Sequence, residues 1–358
     1  MTIDAVLVLS YGGPRGPEDV LPFMRNATRG RGIPDERLVE VSGHYQRFGG
    51  VSPINERNDE LLAAVRGALA DRGLDVPVVI GNRNWTPYVH EALAELISAG
   101  HRDIAVLLTA AYSSYSSCRQ YREDLAAALD RLGPDADGLR FTKVGPYAET
   151  DGFVTANATA LVDAVRSAGG PDDMPAILFV THSIPTAMDA ASGPGGEDAT
   201  YHAQHLRVAE RAAAVAASRL GVAIEWELVF CSRSGAPHIT WLEPDVNDRL
   251  EELSAQGVRS VVTAPVGFIT DHMEVVFDLD TQARETADRL GMAYVRAATA
   301  GIDPAFVAML ADAVVAGEPG QVAGRPTCHA TCCLSGRPGP SLPAALGTDE
   351  LTTDEGKS

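Results

Sequence analysis

The chain has 358 residues, 45% apolar and 22% charged, which is ordinary globular composition and more than one hydrophobic core usually organises. A formal net charge of −19 opposes binding to nucleic acid or to anionic membrane surfaces, although the plain reading of the acidity is solvated helix faces. No stretch reaches the ~18 consecutive apolar residues of a membrane span, and the opening run MTIDAVLVLS has no basic segment before it, so it predicts a strand and a cytoplasmic protein.

Apolar, β-branched runs predict strands at Ala5–Leu9, Val76–Ile80, Ile104–Leu108, Leu139–Phe141, Ala176–Val180, Trp226–Phe230, Val258–Ala264 and Ala293–Val295. They do not alternate with polar residues, as befits strands covered on both faces. Gly12-Gly13-Pro14 follows the first strand, but neither a dinucleotide G-x-G-x-x-G nor a phosphate-binding loop is present, so no nucleotide is expected. Thr86-Pro87 predicts a helix start and Gly100 its end, with Val89, Leu93, Leu96 and Ile97 on one face. Gly73, Gly133, Gly169, Gly221, Gly257 and Gly291 close other helices; Asp303-Pro304 opens the last, and Gly317 follows it. Eight strands alternating with helices predict an α/β protein with parallel sheets flanked by helices. The pattern divides near residue 150 into lobes 1–150 and 151–317, of about four strands each. From 318 to 358 the composition turns to Gly, Pro, Cys, Ser and Thr, which predicts a cysteine-containing extension, disordered from about Pro338.

Parallel sheets bind ligands beyond the carboxyl ends of their strands, so the residues there are the candidates. Ser10-Tyr11-Gly12 follows the first strand and Thr109 to Ser117 the third. Thr181-His182-Ser183-Ile184-Pro185 follows the fifth, and Pro265 to Glu274 the seventh. A lone histidine in such a place is more often a structural residue than a catalytic one. What favours chemistry is the partner loop, with Asp271, His272 and Glu274. Glu274 and Asp278 are four residues apart and share one face of a helix, and Gln282 continues that row. Such a row can be a solvated helix face, can pass a hard cation between oxygen ligands, or can carry protons.

Of the five cysteines, Cys328, Cys332 and Cys333 crowd into six residues, a metal-site signal; disulfides are the less expected use in a reducing compartment. Cys231 follows a strand and reads as a small hydrophobe or a cleft residue.

Four segments, in order, resemble the motifs of the ferrochelatases. They are Val8-Leu9-Ser10-Tyr11-Gly12-Gly13-Pro14, Gly49-Gly50-Val51-Ser52-Pro53, Thr181-His182-Ser183-Ile184-Pro185, and Pro265-Val266-Gly267-Phe268-Ile269-Thr270-Asp271-His272-Met273-Glu274. The resemblance implies two Rossmann-like lobes of the class II chelatase kind, with a porphyrin in the cleft between them. It makes His182 and Glu274 the catalytic, iron-side pair and places Asp278 on the iron or proton path. In the coproporphyrin-using branch a tyrosine at the position of Tyr11 lies axial to the metal, opposite the histidine. By that similarity the substrates are coproporphyrin III and Fe²⁺, and the product is coproheme, handed transiently to the next heme-pathway enzyme. Protoporphyrin IX or another tetrapyrrole is the alternative. Arg29, Arg31, Ser52 and Tyr121 stand at positions suited to propionates; a solvated basic loop and core packing are the other readings of the arginines and of Tyr121. Asn84 and Gln282 depart from side chains that some relatives have there. In actinobacterial ferrochelatases one internal and three C-terminal cysteines hold a [2Fe–2S] cluster. Carried over, the ligands are Cys118, Cys328, Cys332 and Cys333; spacing alone suits zinc as well. The dimer-forming features of eukaryotic relatives are not recognisable, so a monomer is expected.

Overall fold

A computed structural model describes residues 3–30, 32–193, 195–234, 238–317, 328, 331–336 and 341–346. The chain forms two compact units. The first comprises the described residues of Met1–Ala110, Tyr115–Pro146 and Leu310–Ser358, and the second Ala111–Ser114 and Tyr147–Met309.

In the first unit the elements run β1 (Ala5–Ser10), α1 (Pro17–Ala27), α2 (Asp35–Gln46), α3 (Ile54–Ala70), β2 (Val78–Asn82), α4 (Val89–Ser98), β3 (Asp103–Leu108), a π-turn at Tyr115–Arg119, α5 (Gln120–Leu132) and β4 (Arg140–Val144). The four strands are parallel in the order β2-β1-β3-β4. Every residue of β1 is buried, which is why its sequence does not alternate. Ala5, Leu7 and Leu9 pack beneath Val89, Leu93 and Leu96 of α4 and Tyr121 and Leu125 of α5. The helix α4 begins at Val89, not at Thr86-Pro87. The Pro87 carbonyl is taken by the Asn82 N–H at the end of β2 (2.7 Å), which keeps Pro87 out of the helix. The start falls instead where the Glu91 carboxylate accepts from the Tyr88 N–H at 2.7 Å.

The second unit repeats the plan: α6 (Asp151–Ser167), β5 (Ala176–His182), α7 (Thr186–Ala190), α8 (Tyr201–Leu220), β6 (Trp226–Cys231), α9 (Val246–Ala255), β7 (Ser260–Ala264), α10 (Met273–Val275), a π-helix (Val276–Ala283), α11 (Arg284–Leu290) and β8 (Ala293–Arg296). Helix α12 (Pro304–Ala316) begins in this unit and ends in the first. Its start matches the Asp303-Pro304 signal, with the Asp303 carboxylate accepting from the Ala305 N–H at 2.8 Å. The strand order is β6-β5-β7-β8, again parallel. Both sheets therefore reverse strand order beside their first strand, and the crevice at that switch, beyond the carboxyl ends, is where such sheets bind ligands. In the second unit it lies between β5 and β7.

All eight predicted strands form, with ends that shift. β5 runs on to His182 and β6 to Cys231, because those two residues pair with each other in the sheet. His182 is thus the last residue of a strand rather than the first of a loop.

Candidate active site

Strand alternation aims His182. Leu178 and Val180 share its side of β5, and they pack in one cluster with Val275 and Leu279. The Nε2 of His182 lies 3.8 Å from Oε2 of Glu274. Its Nδ1 contacts the carbonyl oxygen of Ser183. A carbonyl only accepts, so Nδ1 carries the proton and Nε2 presents its lone pair toward the carboxylate. That carbonyl is itself fixed, since Ser183 donates its N–H to Cys231 O (2.8 Å) and its hydroxyl to Leu242 O (2.7 Å). The two side chains are 32% and 54% exposed, so solutes reach them.

Glu274 stands at the head of the π-helix, and Nδ1 of His272 lies 4.0 Å from it. Burial pushes the His272 pKa down, against the opposing pull of Glu274, so this ring is neutral. Asp278 follows one turn on and accepts a hydrogen bond from the Ser232 hydroxyl. Burial pushes the Asp278 carboxyl up to about 6, the Ser232 bond opposing and the Glu274 charge adding to the rise. Cys231 is buried beside them, its thiol raised by burial and then by Asp278. It is neutral and acts as filling.

The structure brings His182, Glu274 and Asp278 together as the sequence suggests. It changes the rest of the row. Residues 276–283 form a π-helix, whose turns are wider than those of an α-helix, and the Thr281 hydroxyl also donates to Val276 O at 3.4 Å. Gln282 lines a shallow depression with Asn247, Glu285, Thr286 and Arg289.

In the first unit Tyr11 is 37% exposed at the end of β1. Its carbonyl accepts from the Asn84 N–H at 3.1 Å and the Asn84 side chain at 3.3 Å, which is the role of that residue here. The Arg83 guanidinium lies 5.9 Å from the Tyr11 ring and 4.4 Å from the Tyr121 ring, and donates to Asp124 at 2.5 Å. Tyr121 is buried in the core, its hydroxyl 3.2 Å from Thr109. Arg29 is exposed and donates to Asn26 at 2.7 Å. Ser52 is buried against Gly13 and lines a depression with Arg15, Glu56 and Asp59. Arg31 lies outside the described residues.

The four cysteines singled out by sequence converge in the first unit. Cys333 shares thiol contacts with Cys118 and Cys332, and Cys328 with Cys332. The Cys332 and Cys333 sulfurs are 3.5 Å apart, and buried Lys143 donates to Cys328 at 2.9 Å. Donation from Cys328 and Cys333 holds Cys332 well below the ordinary thiol range. The sulfurs form a chain of contacts; among the described residues no group of three or more His, Cys, Asp or Glu is arranged as a ready metal cage.

Sequence reading missed Ser232, Arg296 and Lys143. Ser232 carries a signal only in its backbone, a positive φ of 62° at a non-glycine residue, which is uncommon and concentrated at functional sites. Arg296 and Lys143 are single charges at strand positions, which give no pattern.

Comparison with known proteins identifies the family. The ferrochelatase family profile matches residues 3–317. The coproporphyrin III ferrochelatase of Streptomyces griseus subsp. griseus is 49% identical over 97% of this chain and 96% of its own. That of Nocardia farcinica is 42% identical over 97% of this chain and 100% of its own. Among solved structures, SirB from Bacillus subtilis with Fe³⁺ superposes with a TM-score of 0.50 at 14% identity, covering 88% of this chain and 95% of that one, a likeness of fold. With the profile spanning both sheets and the motifs on the ends of β1, β5 and β7, the chain belongs to the ferrochelatase family.

Proposed function

We propose that the chain inserts Fe²⁺ into coproporphyrin III, giving coproheme and two protons, as a step of heme biosynthesis. The observation that carries this is Nε2 of His182 lying 3.8 Å from Oε2 of Glu274, with Asp278 one turn on, in a chain 49% identical to a coproporphyrin III ferrochelatase.

Metalation replaces two pyrrole N–H bonds by bonds to iron, so the site must meet a dication and remove two protons. The Nε2 lone pair of His182 serves either task, as metal ligand or proton acceptor. Glu274 stabilises the imidazolium or the incoming cation. Asp278, titrating at about 6, takes a proton onward and gives it to water. Tyr11, exposed at the end of β1, is the residue assigned to the opposite face of the ring. Arg29, Arg31 and Ser52 are assigned to propionates. Tyr121, buried like Ser52 and 4.4 Å beneath the Arg83 guanidinium, is assigned to the propionates with them.

The thiols of Cys118, Cys328, Cys332 and Cys333 are assigned as ligands of a [2Fe–2S] cluster. Their gathering, the burial of three of them with Cys332 half-buried, and the Lys143 ammonium beside Cys328 suit an anionic tetrathiolate centre, and zinc is the competing occupant. Metalation transfers no electrons, so such a centre ties the tail to the first unit. No described helix is long and apolar enough to cross a membrane. Residence in the cytoplasm, a monomeric state and transient hand-off of coproheme complete the reading.

The test is anaerobic turnover with Fe²⁺ on coproporphyrin III and on protoporphyrin IX, with His182→Ala alongside. Turnover of coproporphyrin III with loss of insertion but not of porphyrin binding in His182→Ala is expected. Preference for protoporphyrin IX would reverse the substrate, and normal turnover by His182→Ala would sink the site.

A further inference from the structure

Thr181 precedes His182 and so faces the other side of the sheet, toward α8. Its Oγ1 lies 2.6 Å from the Tyr201 hydroxyl and 3.0 Å from Nε2 of His205. The Nδ1 of His205 is 2.7 Å from the Tyr201 carbonyl, an acceptor, so Nδ1 holds the proton and Nε2 accepts from Thr181. Thr181 has one hydrogen to give. The Tyr201 hydroxyl hydrogen is therefore shared between Thr181 Oγ1 and the His182 carbonyl oxygen, 3.1 Å away.

The chain of contacts continues past His205. The Tyr112 ring stacks on the imidazole with centroids 3.5 Å apart, and its hydroxyl donates to Val266 O at 3.0 Å. The Tyr112 segment is held by Gln204, which accepts from the Ser113 N–H at 2.9 Å. Next along is Gly267, where a Cβ would come 2.0 Å from Thr181 Oγ1. An unbroken buried path thus joins the His182 backbone to the loop that delivers Glu274. Thr181 and His205 are fully buried, and Tyr201 and Tyr112 nearly so. Burying so many polar groups costs stability unless each is satisfied, and here each is. The path ends on a backbone carbonyl, which relays no proton. What it can do is hold geometry.

We propose that Tyr201 and His205 are positioning residues, setting the His182 backbone and the Val266–Gly267 turn in one register so that Nε2 meets the metal opposite Glu274. The proposal rests on the reading of His182 and Glu274 as the iron-side pair. Groups that orient metal ligands typically change affinity or activity by ~10–100-fold when removed.

The test uses Tyr201→Phe, His205→Leu and the conservative His205→Gln in the full chain. For each, KM for Fe²⁺, kcat, porphyrin affinity by fluorescence quenching, and thermal stability are measured. Tyr201→Phe and His205→Leu are expected to lose roughly tenfold or more in kcat/KM for Fe²⁺, with porphyrin affinity unchanged and with most of the loss recovered in His205→Gln. Wild-type iron kinetics in Tyr201→Phe, with His182→Ala inactive, overturns the positioning role and leaves the site reading intact. Loss of iron turnover and porphyrin affinity together, in step with stability and without recovery in His205→Gln, overturns it also. Normal turnover by His182→Ala sinks the site reading and this inference with it.

Discussion

Asp278 is the residue whose charge state the fold has altered most usefully. Its carboxyl titrates at about 6, against an ordinary 3.8, because it is buried and faces Glu274. Between those values the folded chain binds a proton that the unfolded chain has released, so ionisation lowers stability as pH rises through this window. At neutral pH the cost is on the order of 2–3 kcal/mol. Asp278→Asn keeps an acceptor for Ser232 and removes the charge. It should therefore unfold at a higher temperature than the wild type at pH 7.5, with the two converging below pH 4. Its turnover should fall, because an amide relays no proton. In the wild type Asp278 should contribute a fall in kcat/KM of up to about tenfold per pH unit below 6, and in Asp278→Asn that contribution should be lost, leaving a shallower acid limb. A variant both less stable and equally active at pH 7.5 would remove Asp278 from the proton path. His182 illustrates how much a single residue reveals in sequence. Its place near the carboxyl end of a buried strand was legible, but its pairing with Cys231 and its contact with the Ser183 carbonyl emerge only in the fold.

At the scale of elements the strands were legible because burial on both faces writes itself into unbroken β-branched runs, as in Ala5–Ser10. The π-helix was not. Glu274 and Asp278 are four apart and fit an ordinary helix, and nothing in their spacing reports an i→i+5 turn. The side chains that hold it are remote in sequence. Arg296 at the end of β8 donates to Asp280 at 2.6 and 3.0 Å and to Asp271 at 3.2 and 2.9 Å. The Tyr294 hydroxyl donates to the Leu279 carbonyl at 2.9 Å. One guanidinium thus clasps the loop before Glu274 and the π-helix after it, the paired-fork geometry that lysine lacks. Arg296→Met would leave two carboxylates together without a cation. The expected cost is roughly 3–5 kcal/mol, read by chemical denaturation, with KM for Fe²⁺ raised and porphyrin affinity kept. Arg296→Lys should recover the charge but not the iron KM. If it restores both, the clasp acts as a charge alone.

For the whole molecule, the hardest feature to read was how the chain's end returns to its beginning. The crowding of Cys328, Cys332 and Cys333 was visible, but contacts of one or two residues have no periodicity. Ala345 enters the same core as Leu7, Leu93 and Leu125, and Cys333 lies in it too. Two buried arginines receive it: Arg119 donates to Leu342 O at 2.8 Å and Arg122 to Ala345 O at 2.7 Å, while the Ala345 N–H returns to Arg122 O at 3.0 Å. Two independent fastenings follow, one of thiols and one of arginine to backbone, and they come apart by mutation. On the proposed reading of the four thiols as ligands of a [2Fe–2S] centre, Cys328→Ser should abolish its visible absorption. Hydrogen exchange at 341–346 should stay slow, because the arginines still hold it. Arg122→Met leaves the Ala345 carbonyl buried without its donor, at a cost of about 1–3 kcal/mol. In that variant exchange at 341–346 should speed up while the colour remains. If Cys328→Ser alone releases 341–346, the thiol centre is the sole fastening and the arginines only follow it. If Cys328→Ser keeps both the colour and the bound metal, Cys328 is not a ligand.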